Sequence, residues 1–228
     1  MKKDILLLHG ALGDHKQLNS LYSTLAPHYT VHSFDFDAHG ASENVSGFGI
    51  AQFADNIEGY LQREQVHRPL VFGYSMGGYA ALQLALRKPD VFEALITLGT
   101  MFDWNPESAQ KEVKMLNPEK ILAKVPQFAK ALERRHTGVG WQENMRLTAN
   151  MMLELGNGDA FSMKDLSNIQ FPVFVCLGEN DHMVSRKESE VAAEALPNGK
   201  FHSVKAWPHP IEKIDPKALS QLITELFE

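Results

Sequence analysis

The chain has 228 residues, 44% hydrophobic and 22% charged. That is enough to close one large core, and too ordinary a balance for a disordered or collagen-like chain. Its net charge of −6 provides no basic face of the kind that phosphates require, which excludes nucleic acid as the main partner and favours a small, uncharged or mildly polar molecule. The lone cysteine, Cys176, makes no intramolecular disulfide. No Cys/His cluster or H-E-x-x-H run is present, so neither a metal nor another cofactor is expected.

The first apolar run, residues 5–8, is too short for a signal peptide or a membrane span. The chain reads as a soluble cytoplasmic protein with no membrane partner, a monomer or homodimer. Further apolar runs follow at 29–36, 69–74, 94–98, 171–177 and 201–206. Each is near-continuous rather than alternating, as in parallel strands covered on both faces, and helical patterns between them predict an α/β sheet. One helix follows Met76 and stops at Pro89. Another starts at the S-x-x-E box Ser185 to Glu188, and a third at Asp215-Pro216. Cys176 falls within a strand and is a small core residue.

Residues 101–164 break the alternation. A helix is expected from Asn117-Pro118, kinked at Pro126, and a second from Trp141 to Leu155, stopped by Gly156. Their apolar faces predict a small helical lid (101–164) inserted between two late strands of a core formed by 1–100 and 165–228. The outer faces should be polar, with Arg134-Arg135 solvated.

Gly73-Tyr74-Ser75-Met76-Gly77 ends one predicted strand and opens a small-residue helix. A serine on such a sharp turn is lifted above the sheet with a helix N-terminus aimed at it. A hydroxyl nucleophile needs a base, and the loop after the last predicted strand offers one. His209 occupies that loop, stiffened by Pro208 and Pro210, whereas His202 lies inside the strand. An acid must fix the base's tautomer. Asp181 follows the 171–177 strand and gives the order Ser75, Asp181, His209; Glu179 is the rival, read as a solvated loop charge. Acyl transfer also needs donors for the developing oxyanion. The backbone N–H groups of Met76 and of Ala11, in His9-Gly10-Ala11-Leu12-Gly13, are the candidates. That loop's G-x-x-G spacing is wrong for a dinucleotide.

These motifs resemble the α/β-hydrolase superfamily, in its compact, lidded, carboxylesterase-like form. The similarity lies in LLLHGALGD, in Asp35-Phe36-Asp37-Ala38-His39-Gly40-Ala41-Ser42, in GYSMGG, in LGENDHMV and in the late histidine, and it spans nearly the whole chain. Departures are Pro208 where glycine is common before the histidine, and an opening directly on the oxyanion strand. The resemblance implies an α/β-hydrolase fold, with a mostly parallel central sheet flanked by helices, and a Ser75–Asp181–His209 triad. Ser75 argues against dehalogenases and epoxide hydrolases, which use aspartate there.

The lid is rich in methionine and aromatics, and no basic cluster adjoins Ser75. The acyl pocket is therefore expected to be apolar, lined by Leu12, Met101 and Trp141. A serine hydrolase cleaving a small, mainly apolar carboxylic ester through an acyl-enzyme is expected. Thioesterase, carbon–carbon hydrolase and lyase reactions use the same triad, and a ligand receptor can be built on the same fold.

Overall fold

A computed structural model describes residues 2–228. β1 (Asp4–Leu8) leads through α1 (Asn19–Leu25) to β2 (Thr30–Ser33), and α2 (Ile50–Arg63) leads to β3 (Leu70–Tyr74). Then come α3 (Met76–Arg87) and β4 (Ala94–Leu98). Four helices intervene: α4 (Pro106–Val113), α5 (Pro118–Lys124), α6 (Pro126–Arg135) and α7 (Trp141–Glu154). The chain closes with β5 (Val173–Asn180), α8 (Arg186–Ala195), β6 (Gly199–Pro208) and α9 (Pro216–Phe227).

The sheet order is β2-β1-β3-β4-β5-β6 and every pairing is parallel. Alternate strand residues face opposite layers. Leu6, Leu8, Val71, Leu95 and Val175 pack under α2, α3 and α8. Ile5, Leu7, Phe72, Ile96 and Cys176 pack under α1 and α9. Two-sided burial of this kind makes the central strands continuous apolar runs. β6 departs from the expectation: it is an edge strand, exposed at Lys200, Ser203 and Lys205, and such lysines keep an open edge from pairing. The sheet order reverses between β1 and β3, where Leu8 pairs with Gly73. The crevice beyond such a reversal is where doubly wound sheets bind ligands.

The insertion has four helices rather than two. Pro126 does not kink a helix but begins a new one, after Val125 leaves helical geometry at φ −138°, ψ 59°. The additional helix, α4, is announced by Asn105, whose side chain accepts from the Glu107 and Ser108 N–H groups ahead of Pro106. Ile121, Ala129, Leu132, Trp141 and Met145 form the insertion's own core, with Leu12 packed against it. Its outer face is not uniformly polar: Leu122, Val125 and Phe128 are exposed, because the break at Pro126 resets the helical phase. Among the described residues no helix is long and apolar enough to cross a membrane.

Candidate active site

The turn after β3 carries Ser75 at φ 50°, ψ −116°, a strained conformation for a residue with a Cβ. The strain is held from both sides. Ser75 N–H donates to Leu98 O at 2.8 Å, and Thr100 Oγ1 donates to Ser75 O at 2.9 Å. A Cβ at Gly77 would lie 2.6 Å from Leu8 O, so only glycine lets α3 start this close to β1. These bonds use only the backbone of Ser75. Met76, the first residue of α3, has one of the N–H groups that a helix start leaves without an intrahelical acceptor.

His209 and Asp181 meet from two different loops. Asp181 Oδ2 accepts from His209 Nδ1 at 2.7 Å, with side-chain exposures of 2% and 10%. The other carboxylate oxygen accepts from the N–H groups of Met183 and Val184 at 2.8 and 3.0 Å. Burial pushes the Asp181 carboxyl up, but the His209 hydrogen bond and charge and these two N–H groups outweigh it, so its pKa lies below the usual value. With Nδ1 donating to a carboxylate, the His209 lone pair is on Nε2. Tyr74 OH donates to His209 O at 3.0 Å, so the residue before Ser75 fixes the histidine loop. Glu179 is exposed, apart from this pair.

Ser75 and Met76 line a cavity of about 40 Å³ with Ala11 and Met101. Trp104, Met151, Met152 and Leu155 of the insertion also line it. Ile50, Met151 and Leu155 are shared with an outer cavity of about 490 Å³, bordered by Gln83, Glu154 and Asp159. No lysine or arginine lines either cavity. Met101 is thus at the cavity. Trp141 is not: it is 4% exposed within the insertion's core, and Leu12 packs there beside it. The later turns of α7, at Met151 and Met152, face the cavity, whereas its first turn, at Trp141, faces α5 and α6.

Trp104, three residues beyond Met101, also lines the cavity, although no sequence signal separates it from the other aromatic residues of the insertion. Its loop is held by Glu188, whose Oε2 accepts from the N–H groups of Phe102 and Asp103 at 2.9 and 2.8 Å. No sequence pattern marked that role, because Glu188 already completes the cap of α8. Behind the Ala11 loop lie His9 and His39, both fully buried with ring centroids 5.0 Å apart. Burial is the main cause that pushes both down to about 3, so the rings are neutral. Among the described residues no group of three or more His, Cys, Asp or Glu side chains is placed to hold a metal.

A parallel sheet with a strained serine at its topological switch, and an aspartate–histidine pair on loops beyond the same strand ends, defines the class: this is an α/β-hydrolase. Residues 1–213 match the family model described as serine aminopeptidase, S33, and the chain belongs to that family.

The chain is 30% identical over 132 residues to proline iminopeptidase PfmaB of Pestalotiopsis fici, covering 55% of this chain and 44% of that protein. It is 32% identical over 97 residues to a pimeloyl-[acyl-carrier protein] methyl ester esterase of Pectobacterium carotovorum, covering 42% and 36%. The matched stretches thus span less than half the length of either relative. Its fold is similar to that of NosK from Streptomyces actuosus, with a TM-score of 0.81 at 18% identity, covering 100% of this chain and 98% of that one. It is also similar to an esterase from Thermogutta terrifontis, with a TM-score of 0.79 at 20% identity, covering 100% and 90%.

Proposed function

We propose that the protein hydrolyses small, mainly apolar carboxylic esters, with Ser75 as nucleophile, His209 as general base and acid, and Asp181 fixing the His209 tautomer. The observation that carries this reading is the 2.7 Å Asp181–His209 bond, made beyond the carboxyl ends of the same parallel sheet whose β3 ends in the strained Ser75. Ser75 Oγ attacks the ester carbonyl and its proton passes to His209 Nε2. The tetrahedral oxyanion takes hydrogen bonds from Met76 N–H and Ala11 N–H. Collapse expels the alcohol with the proton from His209. Water, deprotonated by His209, then releases the acid. One curated relative is named for a methyl ester and another for proline iminopeptidase activity, and the family model for an aminopeptidase, so the ester reading rests on the small apolar cavity at Ser75.

The small apolar cavity favours a short acyl group: its roughly 40 Å³ holds only a few waters, each needing about 10–15 Å³. The absence of cations from both linings disfavours anionic groups at the ester. Glu154 and Asp159 on the outer cavity favour a second reading, an amine-bearing substrate such as an aminoacyl ester or amide.

The test is p-nitrophenyl acetate against a proline p-nitroanilide, with wild type and Ser75→Ala, and a fluorophosphonate label located by peptide mass. Ester turnover abolished in the variant, with one label at Ser75, is expected. Labelling at another residue, or full activity in Ser75→Ala, removes the assignment. Preference for the anilide selects the second reading.

A further inference from the structure

Arg134 is exposed, as a solvated basic pair requires, but its neighbour is not. Arg135 reaches back from the end of α6 to the loop after β1, with 18% side-chain exposure. Its Nη1 donates to Leu12 O at 2.8 Å, Nη2 to Glu212 Oε1 at 3.2 Å, and Nε lies 3.5 Å from Asp14 Oδ1. The next residue grips the same carbonyl: His136 Nε2 donates to Leu12 O at 3.0 Å, while Nδ1 accepts from Gly40 N–H at 3.2 Å. Leu12 itself sits at φ 56°, a conformation a leucine keeps only when its surroundings enforce it.

The Leu12 carbonyl belongs to the same peptide unit as the Gly13 N–H, and that N–H donates to Gly10 O at 3.0 Å. The Gly10 carbonyl in turn shares its peptide unit with Ala11 N–H. Gly10 O is also held by His9: Phe36 N–H donates to Nε2 at 3.2 Å, which leaves the ring proton on Nδ1, 2.9 Å from Gly10 O. In a trans peptide the N–H points opposite to the C=O. Fixing the two carbonyls therefore aims the Ala11 N–H. The chain of donors also runs one way, from a guanidinium through two peptide dipoles, and such chains polarise each successive N–H. Gly13 permits the close turn: a Cβ there would lie 2.8 Å from Gly10 O and 2.5 Å from Gln17 Oε1.

We infer that Arg135 is a positioning residue for the oxyanion hole, acting from the helical insertion through the Leu12–Gly13 and Gly10–Ala11 peptide units on the Ala11 N–H. The inference rests on the serine-hydrolase reading and on Ala11 as a donor. Through Glu212, which also accepts from Gln17 Nε2 at 2.7 Å, the same guanidinium is tied to the segment just beyond His209. The insertion thus does more than cover the cavity: its seating sets the geometry of the hole. An insertion displaced by substrate entry would release Leu12 and weaken the hole until it closes again.

The experiment compares wild type with Arg135→Met, Arg135→Lys and Glu212→Gln. A fluorophosphonate counts active sites, p-nitrophenyl acetate gives kcat and KM per counted site, and a trifluoromethyl ketone probes the hole. The serine oxygen adds to the ketone carbon, the hydroxyl proton passes to His209, and the ketone oxygen becomes the oxyanion. Losing a whole oxyanion donor costs about 10²–10³ in kcat. Misaiming one, with His136 still in place, should lower kcat about 10- to 100-fold in Arg135→Met. KM should be nearly unchanged and ketone affinity should fall by the same factor as kcat. Arg135→Lys, which keeps the charge, should recover part of the loss. Glu212→Gln should shift the same quantities less, and it keeps the test available if Arg135→Met fails to fold. A kcat per site equal to wild type, with only the melting temperature or the active fraction reduced, overturns the inference and leaves Arg135 as a structural tie. A wild type that takes no label at Ser75 and turns over no ester overturns the serine-hydrolase reading itself, and the Arg135 role with it.

Discussion

Lowering the pH should destabilise this protein well before its carboxylates titrate. His9 and His39 are fully buried, and burial pushes both down to about 3. His39 donates from Nδ1 to Asp37 O at 3.0 Å, and its Nε2 has no partner. His136 is lowered too, mainly by burial, with the Arg135 charge acting in the same direction and Asp14 and Asp35 opposing it. At pH 8 these rings are neutral in the folded and unfolded chains alike and have no influence on the balance. Below about 6.5 the unfolded rings bind protons that the folded rings refuse. Each such ring removes about 1.4 kcal/mol of stability per pH unit through this window. At pH 5 His9 and His39 together amount to roughly 4 kcal/mol, a large part of a typical domain's stability of about 5–15 kcal/mol.

Other groups leave that sign standing. Asp181, with its lowered pKa, contributes stability that is lost only as the pH falls below about 3.9, outside the window. Glu112, raised by burial, works in the opposite direction, so the net slope is somewhat shallower. Urea unfolding followed by tryptophan fluorescence at pH 8, 6.5 and 5, at fixed ionic strength, measures the effect. The urea midpoint should be unchanged between pH 8 and about 7 and fall steadily below about 6.5. A midpoint constant or rising from pH 8 to pH 5 would refute the claim that the rings are buried and neutral.

Two further comparisons separate site from scaffold. Asp181→Asn should lower kcat on p-nitrophenyl acetate on the order of 10³- to 10⁴-fold, because an amide beside Nδ1 favours the wrong tautomer, while Glu179→Gln should leave kcat near wild type; the reverse ranking would move the acid two residues back. Trp141→Ala should remove about 3–5 kcal/mol by emptying the insertion's core, seen as a lower melting temperature, with the acyl-length profile of kcat/KM unchanged. Met101→Ala should instead shift that profile towards longer chains with a smaller loss of melting temperature, and a flat profile would place Met101 outside the acyl pocket.

The central strands and the serine turn are legible because each is carried by a local signal, and the meeting of Asp181 with His209 is legible from the loops that carry them. Leu70-Val71-Phe72 reads as a buried strand because α/β layers cover both its faces, and Ser75 follows from a turn that needs glycines on either side. Asp181 and His209 follow from chain order, since parallel strands deliver their loops to one edge of the sheet. The insertion was less legible because its helices are short, and Pro126 resets the phase from which a facing residue would be inferred. Trp141 and Trp104 are both aromatic residues among methionines, yet one fills the insertion's core and the other lines the cavity. Arg135 shows the same limit for charge. A basic pair at a helix end reads as solvated, and Arg134 obeys. A rotation of one residue around α6 brings the next guanidinium onto the Leu12 carbonyl and between Asp14 and Glu212. The partners that make the difference lie 123 and 77 positions away in the chain. No window of local sequence contains them, and only the packing of α6 against the β1 loop brings them together. Local spacing therefore marks Ser75, Asp181 and His209 at strand ends, whereas a tie such as that of Arg135 to the Leu12 carbonyl depends on partners that no local stretch of sequence contains.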